Sequence, residues 1–157
     1  MKHSSAYNEW LLKNPFYLLN VSCTDNRKKI TAAADELGHL LDADECANAQ
    51  NALLNPAKRL TAELDWFIDC DPVMIETIRN CIKTQFSISS VSLSPLAALN
   101  AALYNFSLTQ TNVSFKLGLS IVDIDKCLAA IDVGFLTDAI NQNRELAQMW
   151  ICDSIGG

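Results

Sequence analysis

The sequence predicts an all-α protein, and three observations carry that expectation. Apolar residues recur at a spacing of three to four along most of the chain, the period of one helix face. Asn55-Pro56, Asp71-Pro72 and Ser94-Pro95 each join a capping residue to a proline at the first helical position, where the missing N–H costs nothing. The Ser-rich stretch 87–93 reads as a linker between two helical parts, 1–86 and 94–157.

Taken in order, Ser4 and Ser5 cap a first helix reaching Leu12, with Tyr7, Trp10 and Leu11 on one side. Asn14-Pro15 opens a second, short helix that offers Phe16, Leu18 and Leu19 as apolar contacts. Thr24 or Asp25 caps the next helix, over about 26–41, whose stripe is Ile30, Ala33, Ala34, Leu37, Leu40 and Leu41. Gly38 inside it costs about 1 kcal/mol relative to Ala, which points either to close packing against a neighbour or to simple tolerance.

Asp42-Ala43-Asp44 links to a helix over 45–54 with Ala49, Ala52 and Leu53 inward. Asn55-Pro56 starts another, with Leu60, Leu64 and Phe67 in phase. Asp71-Pro72 opens a helix to about Phe86 through Ile75, Ile78 and Ile82. Ser94-Pro95 opens one to about Thr109 through Leu96, Leu99, Leu103 and Phe106. Between 112 and 132 the pattern is mixed. Phe115, Leu117, Leu119 and Ile121 alternate as in a strand, whereas Ile124, Leu128 and Ile131 fit a helix. A lone strand has no partner in a helical chain, so helix is expected. The last helix runs from about Gly134 to Ile151 through Leu136, Ile140, Leu146 and Trp150, giving 94–157 a helical-hairpin character.

Half of the 157 residues are apolar and 19% are charged, enough for a buried core. The net charge of -6 argues against nucleic acid, whose phosphates need a basic face. No segment reads as a signal peptide or a membrane span, so a cytoplasmic location is expected, with another protein as partner and no membrane. The Gly156-Gly157 end is compatible with a longer polypeptide and with a natural terminus alike. The six cysteines are widely spaced with no CxxC pair, which favours free, buried thiols over disulfides.

No motif of known catalytic chemistry occurs, and two histidines, His3 and His39, leave little for acid–base work. No catalytic residue, metal ligand or cofactor is expected. Asp42, Asp44 and Glu45 supply oxygens of the kind hard cations take, but without the glycine and spacing of a calcium loop they read as an acidic helix link. Asp123, Asp125 and Asp132 read the same way. Trp10, Trp66 and Trp150 read as core residues. Trp66 and Phe67 point in different directions on a helix, which leaves one of them for a surface contact.

Residues 14–67 resemble the J-domain, the co-chaperone module that stimulates the Hsp70 ATPase. NPFYLLNV looks like the family's opening turn and helix, 30–41 like its second helix, and 47–54 followed by Asn55-Pro56-Ala57-Lys58-Arg59 like its third helix and the turn after it. The resemblance implies a short-helix bundle. It also implies that the family's activating His-Pro-Asp tripeptide falls on Asp42, Ala43 and Asp44, where only the last residue matches. The family's basic docking face falls where this chain carries Asp35 and Glu36, and Arg27, Lys28 and Lys29 stand one to two turns earlier. Together with Trp66 these are the candidate partner-surface residues. The expected function is therefore a non-catalytic protein-interaction module that does not stimulate Hsp70. The alternatives are an Hsp70 competitor that does not activate, and a small enzyme without a recognisable motif.

Overall fold

The computed structural model describes residues 11–89, 92–108, 126 and 128–147, and every regular element among them is an α-helix. In chain order these are α1 (Pro15–Leu19), α2 (Arg27–Gly38), α3 (Ala43–Leu54), α4 (Pro56–Leu64), α5 (Pro72–Thr84), α6 (Pro95–Ser107) and α7 (Val133–Leu146). None is long and apolar enough to cross a membrane. The expected all-α class is what the structure shows.

The chain forms two units, each built from separate stretches: Met1–Leu12 with Asp69–Val133, and Lys13–Ile68 with Gly134–Gly157. The Ser-rich stretch 87–93 lies inside the first, and α6 and α7 fall in different units.

Helices α1, α4, α5 and α6 start where the sequence places them, whereas α3 starts at Ala43 and not at 45, because Asp42 caps it and is no part of a longer link. The side chains of Asn14, Asn26, Asp42, Asn55 and Asp71 each accept a hydrogen bond from a backbone N–H of the first turn, closing donors that have no partner within the helix. Asn14 does more, because its amide also donates to the Ala62 carbonyl at 3.0 Å and so ties α1 to α4. At α2 the cap is Asn26 rather than Thr24 or Asp25. Asp25 is occupied elsewhere, accepting from the Ser22 N–H at 2.8 Å and pairing with Lys29 at 3.1 Å. Ser94 makes no cap bond, and its hydroxyl donates to Asp69 at 2.7 Å instead.

In the second unit, Phe16 and Leu19 of α1, Ile30 and Ala34 of α2, Cys46, Ala49 and Leu53 of α3, and Ala62 of α4 are buried. Trp66 and Phe67, just past α4, are fully buried too. Trp66 meets Tyr17 and Phe67 edge-on, with ring centroids 6.2 and 5.3 Å apart. Neither side of the Trp66-Phe67 pair is left for a surface contact, which removes Trp66 from the candidate partner surface.

Three expected apolar stripes are corrected. Leu40 and Leu41 are 75% and 56% exposed. The helix ends at Gly38, and the turn after it closes with the Leu40 and Leu41 N–H groups both on the Leu37 carbonyl, at 3.0 and 2.8 Å, which leaves these two side chains outside the packed stripe. On α4, Leu60 and Leu64 are only half-buried, and the inward positions belong to Arg59 and Glu63, one residue earlier. On α6 the buried face is Ala97, Asn100, Ala101, Tyr104 and Ser107, while Leu96, Leu99, Leu103 and Phe106 are half-buried. The Tyr104 hydroxyl donates to the Cys81 carbonyl at 3.0 Å, which turns that ring inward and shifts the helix by one position.

Within the first unit, Ile78 and Ile82 of α5 are buried as expected, and so is Ile88. The Asn105 amide accepts from the Ile88 N–H at 2.7 Å and donates to its carbonyl at 2.8 Å, so one side chain satisfies both backbone groups of this extended residue. The first expected helix up to Trp10 and the Phe115–Ile121 segment lie outside the described residues, as do Trp150 and Ile151. Leu146 of α7 is exposed and Ile140 buried.

A methyl group added at Gly38 meets nothing within 4 Å, so tolerance, and not close packing, accounts for this glycine. Gly38→Ala is expected to raise stability by about 0.4–1 kcal/mol by restricting the unfolded chain. A higher melting temperature with unchanged helicity checks this; a lower one contradicts it.

Candidate functional site

Helices α2 and α3 form an antiparallel hairpin whose inner face is Ile30, Ala34, Cys46, Ala49 and Leu53. At its tip, Leu40 and Leu41 project outward and Asp42 begins α3. Asp42 Oδ1 accepts from the N–H groups of Asp44 at 2.9 Å and Glu45 at 3.2 Å. Asp44 and Glu45 occupy the first turn of α3, where negative charge meets the positive end of the helix dipole. Thus each acidic residue of 42–45 has a local structural role. Asp42, Ala43 and Asp44 are all exposed.

The charges of α2 run the other way. Its first turn holds Arg27, Lys28 and Lys29, and its last holds Asp35 and Glu36, all exposed. The dipole favours the opposite order by about 0.3–1 kcal/mol per charge. Only Lys29, through Asp25, has a described counter-charge that offsets its position. Asn26, Arg27, Lys28, Thr31, Ala32 and Asp35 line an open groove beside the basic end. A second groove, of about 500 Å³, runs between the two helices toward the tip and is lined by Ala34, Asp35, Gly38, His39, Ala43, Ala47 and Gln50.

The hairpin is held from below by a side chain that apolar spacing did not reveal. Arg59 of α4 is fully buried. Its guanidinium donates to the Cys23 carbonyl at 2.7 Å and to the Asp25 carbonyl at 3.2 Å, fixing the connector from which α2 starts. Its Nε donates to Glu63 at 3.1 Å, and its charge lies 5.6 Å from the Phe16 ring centroid. Arg144 of α7 approaches the other Glu63 oxygen at 3.4 Å and donates to the Pro56 carbonyl at 2.9 Å. Next to it, Asn143 donates to the Ile68 carbonyl at 3.4 Å. One buried carboxylate therefore lies between two guanidiniums and joins α7 to α4. Burial pushes the Glu63 carboxyl above its ordinary range, while Arg144 and Arg59 pull against that. Burial likewise pushes the Arg144 guanidinium down, opposed by Glu63. The sequence carried two signals of this cluster: Arg59 and Glu63 stand four apart with opposite charge, and Arg144 follows the buried Ile140 by the same step.

Among the described residues no group of His, Cys, Asp and Glu has the arrangement of a metal site. Among the described residues Cys46, Cys70 and Cys81 are free thiols. Burial, with Asp69 and Asp71 on either side, pushes the Cys70 thiol up to about 12, so it carries almost no thiolate at neutral pH. The hairpin thus offers surface, charge and two exposed leucines.

Comparison with protein-family models, with curated proteins and with solved structures gives no match. The functional reading rests on the residues themselves.

Proposed function

We propose that this chain is a non-catalytic protein-interaction module, J-domain-like in the layout of α1 to α4, which does not stimulate an Hsp70 ATPase. The observation that carries the proposal is the hairpin tip. There Leu40 and Leu41 stand exposed beside Asp42, whose carboxylate is engaged in capping α3. Where the J-domain resemblance calls for a histidine, this group, when ionised, only accepts hydrogen bonds. Ala43 lacks the fixed φ of proline, and Asp35 and Glu36 present negative charge where the family presents positive. The reading assigns no catalytic residue and no cofactor. It includes a cytoplasmic location, which the wide spacing of the six cysteines without a CxxC pair favours.

The proposal is tested by adding the chain to the host's own Hsp70 and following ATP hydrolysis. The expected rate is the basal one at every concentration of the chain. Dose-dependent acceleration would sink the proposal.

A further inference from the structure

We infer that the tip of the α2–α3 hairpin docks a basic, amphipathic segment of another protein, its apolar side chains on Leu40 and Leu41 and its Lys or Arg side chains on the surrounding carboxylates. This rests on the reading of the hairpin as an interaction element and adds the chemistry of its partner.

The two leucines supply the apolar anchor, since both are exposed and adjacent at the end of the hairpin. The carboxylates of Asp35, Glu36, Asp42, Asp44 and Glu45 surround them in sequence, all exposed, and none forms an ion pair among the described residues. From Ile30 to Ala57 the chain contains no Lys or Arg, so no lysine or arginine of these two helices beyond the first turn of α2 offsets that charge, and His39 is the one basic side chain in this span. Capping and the dipole account for Asp42, Asp44 and Glu45. They do not account for Asp35 and Glu36, which sit against the dipole at the end of α2. A local rule broken without structural compensation marks a position kept for another reason. The groove over Ala34, Gly38 and Ala43 runs to the same tip, and its small side chains leave room for a bound backbone. Charge complementarity then fixes the sign of the partner. A second copy of this chain is the poorer occupant, because each copy carries a net charge of -6.

The test uses the full chain and a labelled synthetic peptide of Lys and Leu with the leucines at helical spacing, followed by fluorescence anisotropy. A Glu/Leu peptide of the same pattern is the control. The Lys/Leu peptide is expected to bind, more weakly as salt rises, and the Glu/Leu peptide is not. Asp35→Lys with Glu36→Lys is expected to weaken binding by roughly tenfold or more, and so is Leu40→Ser with Leu41→Ser. Glu76→Lys with Asp138→Lys makes the same change in net charge at two exposed sites on other helices and is expected to leave affinity within about twofold. The lysine pair at 35 and 36 agrees with the dipole, so that variant should unfold no earlier than the wild type. Asp35→Asn with Glu36→Gln repeats the test should the lysine variant fail to fold. Absence of binding, equal loss in the control variant, or affinity unmoved by the tip variants overturns the inference. So does sedimentation showing that the tip holds a second copy. None of these outcomes involves Hsp70, so failure here leaves the preceding proposal standing, and ATPase acceleration would sink that proposal without touching the peptide result.

Discussion

Glu63→Gln is expected to destabilise the protein by about 3–5 kcal/mol, the usual cost of removing one partner from a buried ion cluster. The carboxylate is fully buried, with Arg59 at 3.1 Å and Arg144 at 3.4 Å. An amide keeps the shape and one acceptor, so the change removes charge with little loss of packing. Two buried guanidiniums then lose the carboxylate that lies between them, while their bonds to the carbonyls of Cys23, Asp25 and Pro56 remain. For a domain whose whole stability is about 5–15 kcal/mol, such a loss appears as a large shift of the urea midpoint at neutral pH. A shift worth less than about 1 kcal/mol would mean that the carboxyl is already neutral in the folded protein. Arg59→Lys is no rescue for this cluster. A single ammonium cannot span the Cys23 and Asp25 carbonyls and Glu63 as the planar guanidinium does.

Trp66→Ala is the second large effect, again about 3–5 kcal/mol, the range for emptying a large aromatic site in a core. Trp66 is 0% exposed and touches Tyr17 and Phe67 edge-on. The ring therefore fills the space where the end of α4 meets α1, and alanine leaves a cavity that the helices cannot close without moving. Trp66→Phe keeps part of the ring and is expected to lose roughly half as much. Far-UV circular dichroism against urea measures both. A Trp66→Ala protein as stable as the wild type would return this residue to the surface and restore it as a contact candidate.

What the sequence made legible follows from how local each signal is. Asn14, Asn55 and Asp71 cap the helices they were expected to cap, because a capping bond involves only the next three residues and a following proline fixes the backbone. Stripes spanning several turns were less legible. Leu40 and Leu41 continue the α2 period on paper, but the helix stops at Gly38, and the terminal turn closes with both of their N–H groups on the Leu37 carbonyl. Arg59 and Glu63 occupy the core because they pair with each other and Glu63 also pairs with Arg144, which lies far along the chain. No apolar count reports such a pair. On α6 the choice between the leucine face and the alanine face turned on Tyr104 reaching Cys81, a contact between helices that spacing within one helix does not encode. Of the candidate surface, Arg27, Lys28, Lys29, Asp35 and Glu36 are exposed on α2 and belong to one hairpin with Asp42, Ala43 and Asp44, whereas Trp66 does not.

The central claim is that this hairpin serves interaction without driving an ATPase, and a single-turnover experiment tests it most directly. The host's Hsp70 is loaded with one equivalent of ATP, and hydrolysis is timed with the wild-type chain, with its Asp44→Asn variant and alone. The account predicts three indistinguishable rates. Acceleration by the wild type that disappears in Asp44→Asn would contradict it, because the one residue shared with the family's tripeptide would then be active.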